Sequence, residues 1–202
     1  ISQYVDQDNY SNLANSLQNK NWLGFIPDLK NYHLASEAFK NNGIAKDGSA
    51  WVAFNYKPFP GTFWPTNGST DDVLIRLSAE FRQLNGKYNE SIYLTNLSLV
   101  ELSIKALSQI DIFPVNEQVI NSDLNQDGRL TPKVELLVTR DFFVGDAKHI
   151  KISSQQYPVK TEIMHSVRYV GVDEQGKTYI PKRMKELRYM TKTKLLNIGD
   201  ID

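Results

Sequence analysis

The spacing of apolar residues predicts several helices in the first three quarters of the chain. Apolar side chains recur three or four positions apart in residues 8–18, 31–41 and 95–108, which is the period of a helix that buries one face. Residues 115–120 and 133–142 also fit helices, one on each side of a polar loop. An Asn-Gly pair follows the second helix and is a typical helix end.

Two segments in the first half favour strands. Residues 49–56 and 73–77 are rich in aromatic and β-branched side chains, which favour the pleated surface of a sheet. The second segment fits a helix over residues 70–83 equally well, because Thr70 is a suitable N-cap. The pattern leaves both structures open there.

A hairpin is predicted near the C-terminus. Residues 161–172 are rich in Val, Ile and Tyr and predict a strand, and residues 173–176 are Asp-Glu-Gln-Gly, a turn whose glycine takes a positive φ. Tyr179 and Ile180 can return as the second strand. Residues 181–190, however, begin with proline and contain good helix formers, so the segment after residue 180 is a strand or a helix.

These elements predict an α+β protein with a mainly helical first part, an aromatic-rich loop and a small antiparallel sheet near the C-terminus. A length of 202 residues favours a single domain over residues 1–202. The charge is uneven, since residues 1–146 hold 12 basic and 17 acidic side chains whereas residues 147–194 hold 11 and 4. A subdivision into a helical part, 1–146, and a basic part, 147–202, is the alternative.

Aromatic side chains are concentrated in residues 51–72, where prolines lie between them. Prolines leave such a segment few conformations, so it is either part of the core or a rigid platform for a ligand. We expect Trp51, in the predicted strand, to be buried. Phe63 and Trp64 lie in the proline-rich loop and are candidate ligand-binding residues.

The composition excludes several classes of function. The chain has no cysteine, which removes disulfides, thiolate metal sites and cysteine nucleophiles. Its formal net charge is zero, which disfavours nonspecific nucleic-acid binding. No apolar run approaches the roughly 20 residues that span a bilayer. Because the chain begins at Ile1 rather than Met, we expect a protein whose signal peptide has been removed.

The polar loop carries the strongest candidate site. Acidic and amide side chains alternate before Gly128 in the segment DLNQDGRLT, which resembles the calcium loop of the EF-hand and dockerin families. Such loops surround Ca²⁺ with side-chain and backbone oxygens. The ligands that this resemblance implies are Asp123, Asn125, Asp127, Arg129 through its carbonyl, and Thr131.

The loop departs from the calcium pattern at its twelfth position, where Val134 replaces the bidentate glutamate. Glu135 follows one residue later, and Pro132 would allow the exiting segment to shift so that Glu135 completes the site. The missing glutamate predicts a weak site, with a dissociation constant of about 10⁻⁴ M or higher, which suits an extracytoplasmic compartment.

Three other polar side chains are candidates for ligand binding. His165 lies in the predicted strand 161–172 and is a potential metal ligand or general base, although packing in the strand explains it as well. Arg183 and Arg188 belong to a basic cluster that can bind carboxylates or phosphates, or form a solvated face. No catalytic motif such as GxSxG or HExxH is present, so we assign no catalytic residue and favour a non-enzymatic protein.

Three segments, KPFPGTFWPTNGSTDDVLIRL, MHSVRYV and RMKELRYM, resemble parts of exported bacterial proteins related to multihaem c-type cytochromes. This resemblance implies a redox role. The chain departs from those proteins because it has no CxxCH haem-attachment motif. The resemblance therefore implies one of three things: the chain has lost its haem, it is a partner of such cytochromes, or it binds haem noncovalently through His or Met, with His165 as the first candidate ligand.

The sequence thus predicts a calcium-binding accessory or ligand-binding protein of the bacterial envelope, periplasmic or extracellular and without catalysis. The alternatives are a redox protein, either a noncovalent haem carrier or a cytochrome partner, and a hydrolase with a site that no motif reveals. The expected partner is another envelope protein or a cytochrome.

Overall fold

The computed structural model of the protein describes residues 28–29, 38–53, 69–168, 171–179 and 184–197. Strands predominate over helices in these residues. In chain order the strands are β1 (Val52–Ala53), β2 (Ser69–Arg76), β3 (Gln83–Leu84), β4 (Lys87–Tyr88), β5 (Gln109–Val115), β6 (Val134–Val138), β7 (Glu162–Arg168), β8 (Gly171–Val172), β9 (Thr178–Tyr179) and β10 (Met184–Thr191). The helices are α1 (Glu90–Lys105) and α2 (Glu117–Ile120), with 3₁₀ turns at Ala79–Arg82 and Gly145–Ala147.

Two compact units divide the chain. Unit 1 consists of residues Ile1–Arg76 and Ile163–Met190, and unit 2 consists of Leu77–Glu162 and Thr191–Asp202. Each unit is therefore assembled from two separate chain segments. The single domain and the division at residue 146 stay predictions.

Unit 1 is built on a four-stranded sheet in the order β1-β2-β7-β10. Strands β1 and β2 are antiparallel and pair Val52 with Ile75. Apolar side chains from several segments pack together on this sheet, and the fully buried ones include Trp51 and Met164. The predicted burial of Trp51 is confirmed. Because the indole is among the largest side chains, its burial contributes much of the stability of this unit.

Helix α1 organises unit 2. The side chain of Asn89 caps it by accepting a hydrogen bond from the backbone N–H of Ile92 at 3.0 Å, and the helix ends at Ala106 with a left-handed φ of 52°. Its buried face packs on the 3₁₀ turn Ala79–Arg82 and on β5. The helix predicted over residues 95–108 is thus confirmed, although it begins five residues earlier, at Glu90.

The 3₁₀ turn Gly145–Ala147 lies very close to the backbone of strand β3. Gly145 has a φ of +70°, and a Cβ atom there would lie 2.5 Å from the carbonyl oxygen of Gln83. Only glycine tolerates both the conformation and the contact. The turn Gly145–Ala147 can therefore approach strand β3. Its Asp146 accepts the backbone N–H groups of Asn85 and Gly86, in the turn between β3 and β4, at 2.8 Å each.

The mainly helical first part that the sequence predicted is wrong, because strands outnumber helices among the described residues. The segment 133–142 was predicted to be a helix, yet it contains strand β6, which pairs antiparallel with β5. Five residues of mixed apolar character fit either period, and pairing with β5 supplies hydrogen bonds that decide for a strand. The predicted helix 8–18 and most of 31–41 lie outside the described residues.

The two ambiguous segments are both strands. Residues 73–77 belong to β2 for the most part, and β10 covers 184–191, so tertiary pairing overrides the helix formers of the second segment. The turn at 173–176 is confirmed: Gly176 has a φ of +78°, and the turn joins β8 to β9 with Gly171 opposite Tyr179.

Candidate functional site

The candidate metal site is the loop between α2 and β6, residues 123–131, within unit 2. Its side-chain oxygens accept backbone N–H groups in sequence. Asp123 Oδ2 accepts from Gly128 at 2.9 Å, Asn125 Oδ1 from Asp127 at 3.1 Å, and Asp127 Oδ1 from Arg129 at 2.8 Å. Gly128 has a φ of +81°, which a residue with a Cβ atom rarely adopts. The loop therefore turns around its own acidic and amide side chains.

The second carboxylate oxygen of Asp123 has no such partner. Asp123 Oδ1 is inaccessible to solvent and makes no hydrogen bond with any described residue. A buried polar atom without a partner costs roughly 1–3 kcal/mol. A cation bound by the loop would satisfy this atom.

Glu117 lies outside the loop 123–131 and binds both of its ends. Its side chain is completely buried. Its Oε1 accepts the N–H of Leu124 at 2.6 Å, and its Oε2 accepts the N–H of Thr131 at 2.9 Å. One carboxyl group thus joins the two ends of the loop. Sequence reasoning missed this residue because no motif connects it to Leu124, seven residues later, or to Thr131.

The predicted ligands at the C-terminal end of the loop have other partners. Thr131 donates both its N–H and, at 3.3 Å, its hydroxyl to Glu117. Glu135 lies exposed on β6 and forms an ion pair with Lys133 at 3.0 Å. The structure thus shows Glu135 paired with a lysine. The residue that anchors the loop in the core is Leu124, which is fully buried, whereas Leu130 is 39% exposed.

Arg140 lies beside the loop. Its Nη1 donates to the hydroxyl of Ser122 at 2.8 Å and lies 3.5 Å from the carbonyl oxygen of Asp123. Burial lowers the pKa of the Arg140 guanidinium below its usual value, and the negative charge of Asp123 opposes that shift. The positive charge of Arg140 reduces the negative potential that a metal ion would meet at Asp123.

The donor set that remains for a cation consists of oxygens only, which suits Ca²⁺ rather than a soft metal. It comprises the side chains of Asp123, Asn125 and Asp127 and the carbonyl of Arg129. In the described part of the chain, no three His, Asp or Glu side chains group closely enough to hold a metal by themselves. Water would therefore have to complete the coordination, as it often does in weak calcium sites.

Two of the other predicted ligand-binding residues lie on the sheet of unit 1. His165 lies half buried on β7 and Arg188 lies exposed on β10, which are neighbouring strands of the sheet in unit 1. Phe63, Trp64 and Arg183 lie outside the described residues.

No helix in the described segments is long and apolar enough to cross a membrane. No solved structure matches the chain. A protein of Aquifex aeolicus (strain VF5), named an uncharacterized lipoprotein, is 28% identical to it over 203 residues. That alignment covers 95% of this chain and 33% of the relative, so the chain spans about a third of the length of the relative that it matches.

A family of lipoproteins matches residues 9–200. This match covers nearly the whole chain. The matching family is not an EF-hand or dockerin family, and it is not related to cytochromes. The two resemblances drawn from the loop and from the aromatic segment were therefore wrong at the level of the family, because short runs of residues recur in unrelated proteins. The envelope location and the bacterial origin agree with the match. The chain belongs to this family of bacterial envelope lipoproteins.

Proposed function

We propose that this chain is an accessory part of a bacterial envelope lipoprotein in which a Ca²⁺ ion, bound by the loop 123–131, stabilises unit 2. The observation that carries the proposal is the buried Oδ1 atom of Asp123, which no described residue satisfies. Folding has removed this atom from water, and an oxygen-binding cation would offset that cost. The proposal concerns the ion and the loop, and does not depend on kinship with any calcium-binding family.

Weak affinity is expected. The loop offers two carboxylates, one amide oxygen and one carbonyl, and it lacks a bidentate glutamate. Loops with reduced ligand charge bind Ca²⁺ with dissociation constants of about 10⁻⁴–10⁻³ M, and the charge of Arg140 acts in the same direction. A site of this strength would be occupied where calcium is abundant, as it is outside the cytoplasm.

Thermal unfolding in calcium and in a chelator tests the proposal. A ligand that binds only the folded state stabilises it by about 1.4 kcal/mol when its concentration is ten times the dissociation constant. We expect a rise in the unfolding midpoint with CaCl₂ and a smaller rise with MgCl₂, because Mg²⁺ demands a stricter octahedral geometry.

Two variants and a control assign the effect to the loop. Asp123→Asn keeps the shape of the side chain and Asp127→Ala removes a carboxylate, so both should lose the calcium response. Asp173→Ala is the matched control, because Asp173 also accepts backbone N–H groups in a glycine-containing turn, from Gln175 and Lys177. A wild-type protein without a calcium response, or a response that survives both loop variants, would contradict the proposal.

A further inference from the structure

A small cavity lies in unit 2, and none of its lining residues belongs to the loop 123–131. Its volume is about 130 Å³. Apolar side chains supply most of its walls, and these are Phe81, Phe143, Ile150, Pro158, Val159 and Leu195. An apolar cavity of about 150 Å³ accepts benzene. The cavity therefore matches a ring of that size.

The floor of the cavity is rigid. Phe81 and Phe143 pack edge to face with their ring centroids 4.8 Å apart. The buried amide of Asn96 holds the backbone on both sides, since its Nδ2 donates to the carbonyls of Phe81 at 2.9 Å and Val144 at 3.1 Å. The N–H of Val144 returns a bond to Asn96 Oδ1 at 2.9 Å. A ligand would meet these rings already in place, which lowers the entropic cost of binding.

One wall is a loop held in an unfavourable backbone conformation. Gln155 and Lys160 have φ angles of +56° and +66°, a region that costs a non-glycine residue about 1 kcal/mol or more. Ser103 holds this wall, because its hydroxyl donates to the carbonyl of Ser153 at 2.7 Å and accepts the N–H of Gln155 at 3.2 Å. Such a conformation persists only where the surroundings impose it.

The C-terminal segment covers the cavity. Gln156 donates its Nε2–H to the carbonyl of Leu196 at 2.7 Å and accepts the N–H of Leu196 at 2.8 Å on Oε1. This pair of bonds fixes the neighbouring Leu195 in the lining. Leu195 is itself 41% exposed, so this part of the lining is accessible from the protein surface.

The rim carries more positive than negative charge. Lys151 and Lys160 line the cavity, and neither has an ion-pair partner within the described segments. The one acidic residue of the lining, Glu80, accepts a hydrogen bond from the hydroxyl of Ser78 at 3.1 Å. An anionic group at the rim would therefore meet two exposed ammonium groups.

We propose that this cavity binds a small carboxylate whose apolar part is about as large as a benzene ring, with the carboxylate paired with Lys151 and Lys160. The site is independent of the calcium loop, so the two proposals succeed or fail separately.

Titration of the chain with benzoate, followed by NMR of the backbone amides, tests this assignment. We expect saturable shifts at the cavity residues, with the neutral analogue benzyl alcohol binding more weakly. Leu195→Trp should fill the cavity from its exposed side and weaken benzoate at least tenfold, which is the effect of losing about 1.4 kcal/mol. Since Leu195 is partly exposed, the variant should keep its fold, and its amide spectrum reports this directly.

Charge variants separate the head group from the ring. Lys151→Gln and Lys160→Gln should each weaken benzoate by about two- to fivefold, as expected for an exposed ion pair, and should leave benzyl alcohol unchanged. Lys148→Gln, an exposed lysine outside the lining, should change neither. The proposal is overturned if benzoate gives no saturable shifts, if Leu195→Trp binds it normally, or if benzyl alcohol binds as tightly as benzoate.

Discussion

Unit 1 and unit 2 each contain a carboxyl group that joins distant parts of the chain, but water reaches only one of them. In unit 1 the side chain of Asp28 is 52% exposed and accepts hydrogen bonds from Trp51 Nε1 at 2.7 Å and Arg76 Nη1 at 2.6 Å. In unit 2 the side chain of Glu117 is fully buried and accepts two backbone N–H groups. Water competes for the bonds of Asp28 and not for those of Glu117.

This difference indicates what stabilises each unit. An exposed ion pair contributes roughly 0–1 kcal/mol, so the pair of Asp28 with Arg76 adds little. Unit 1 depends more on the burial of Trp51, which contacts both residues. The guanidinium of Arg76 lies 4.5 Å from the centre of that ring. In unit 2 the polar side chain of Glu117 contributes more to stability than the ion pair of Asp28 does in unit 1. Without Glu117, the backbone N–H groups of Leu124 and Thr131 would have no hydrogen-bond partner.

The largest expected effect is that of Trp51→Ala. Removing a buried aromatic side chain costs about 3–5 kcal/mol, and Trp51 is completely buried. Urea denaturation should show this loss. Trp51→Phe, which keeps most of the apolar volume and loses the bond to Asp28, is the control and should cost less. Equal losses in the two variants would mean that the bond to Asp28, and not burial, stabilises unit 1.

The second effect is that of Glu117→Gln. The amide keeps one acceptor oxygen but turns an NH₂ group towards a backbone donor, which leaves a buried N–H without a partner at a cost of about 2 kcal/mol. Glu135→Gln is the matched control, since Glu135 is exposed on β6, and exposed substitutions usually change stability by less than about 0.5 kcal/mol. Urea denaturation compares the two. Equal losses of stability in the two variants would show that the Glu117 carboxylate does not stabilise the loop.

The smallest effect is expected at Asp28. Burial raises the pKa of this carboxyl group, but the hydrogen bonds from Trp51 and Arg76 outweigh it, and the pKa is lowered overall. A lowered folded-state pKa contributes stability above the ordinary value of about 3.9 and loses it as the pH falls through the folded value. Because the side chain is half exposed, the contribution should stay below about 1 kcal/mol.

Comparison of Asp28→Asn with the wild type by urea denaturation measures this contribution. The variant should be slightly less stable at neutral pH, and the difference should shrink as the pH falls through the lowered pKa of the wild-type carboxyl group, which then takes up a proton. A difference that is independent of pH would show that the charge of Asp28 does not stabilise unit 1.

Local sequence determined the features that short-range physics controls. Helix α1 follows from a long apolar period, although its asparagine cap, Asn89, lies before the predicted start at residue 95. The turn at 173–176 and the turn at Gly128 follow from Asp and Asn side chains that bond the backbone two or more residues on, followed by a glycine at positive φ. The burial of Trp51 was also predictable, because a large aromatic side chain in a strand usually belongs to the core.

Tertiary structure decided what depends on distant partners. Strands β6 and β10 have residues that suit a helix or a strand, and only pairing with β5 and with β7 selects the strand. Glu117 bonds Thr131 across 14 positions, and the cavity joins residues from Glu80 to Leu195. A sequence shows which side chains can donate, accept or fill space. Which groups lose contact with water, and therefore need a partner, is settled only when separate segments pack together.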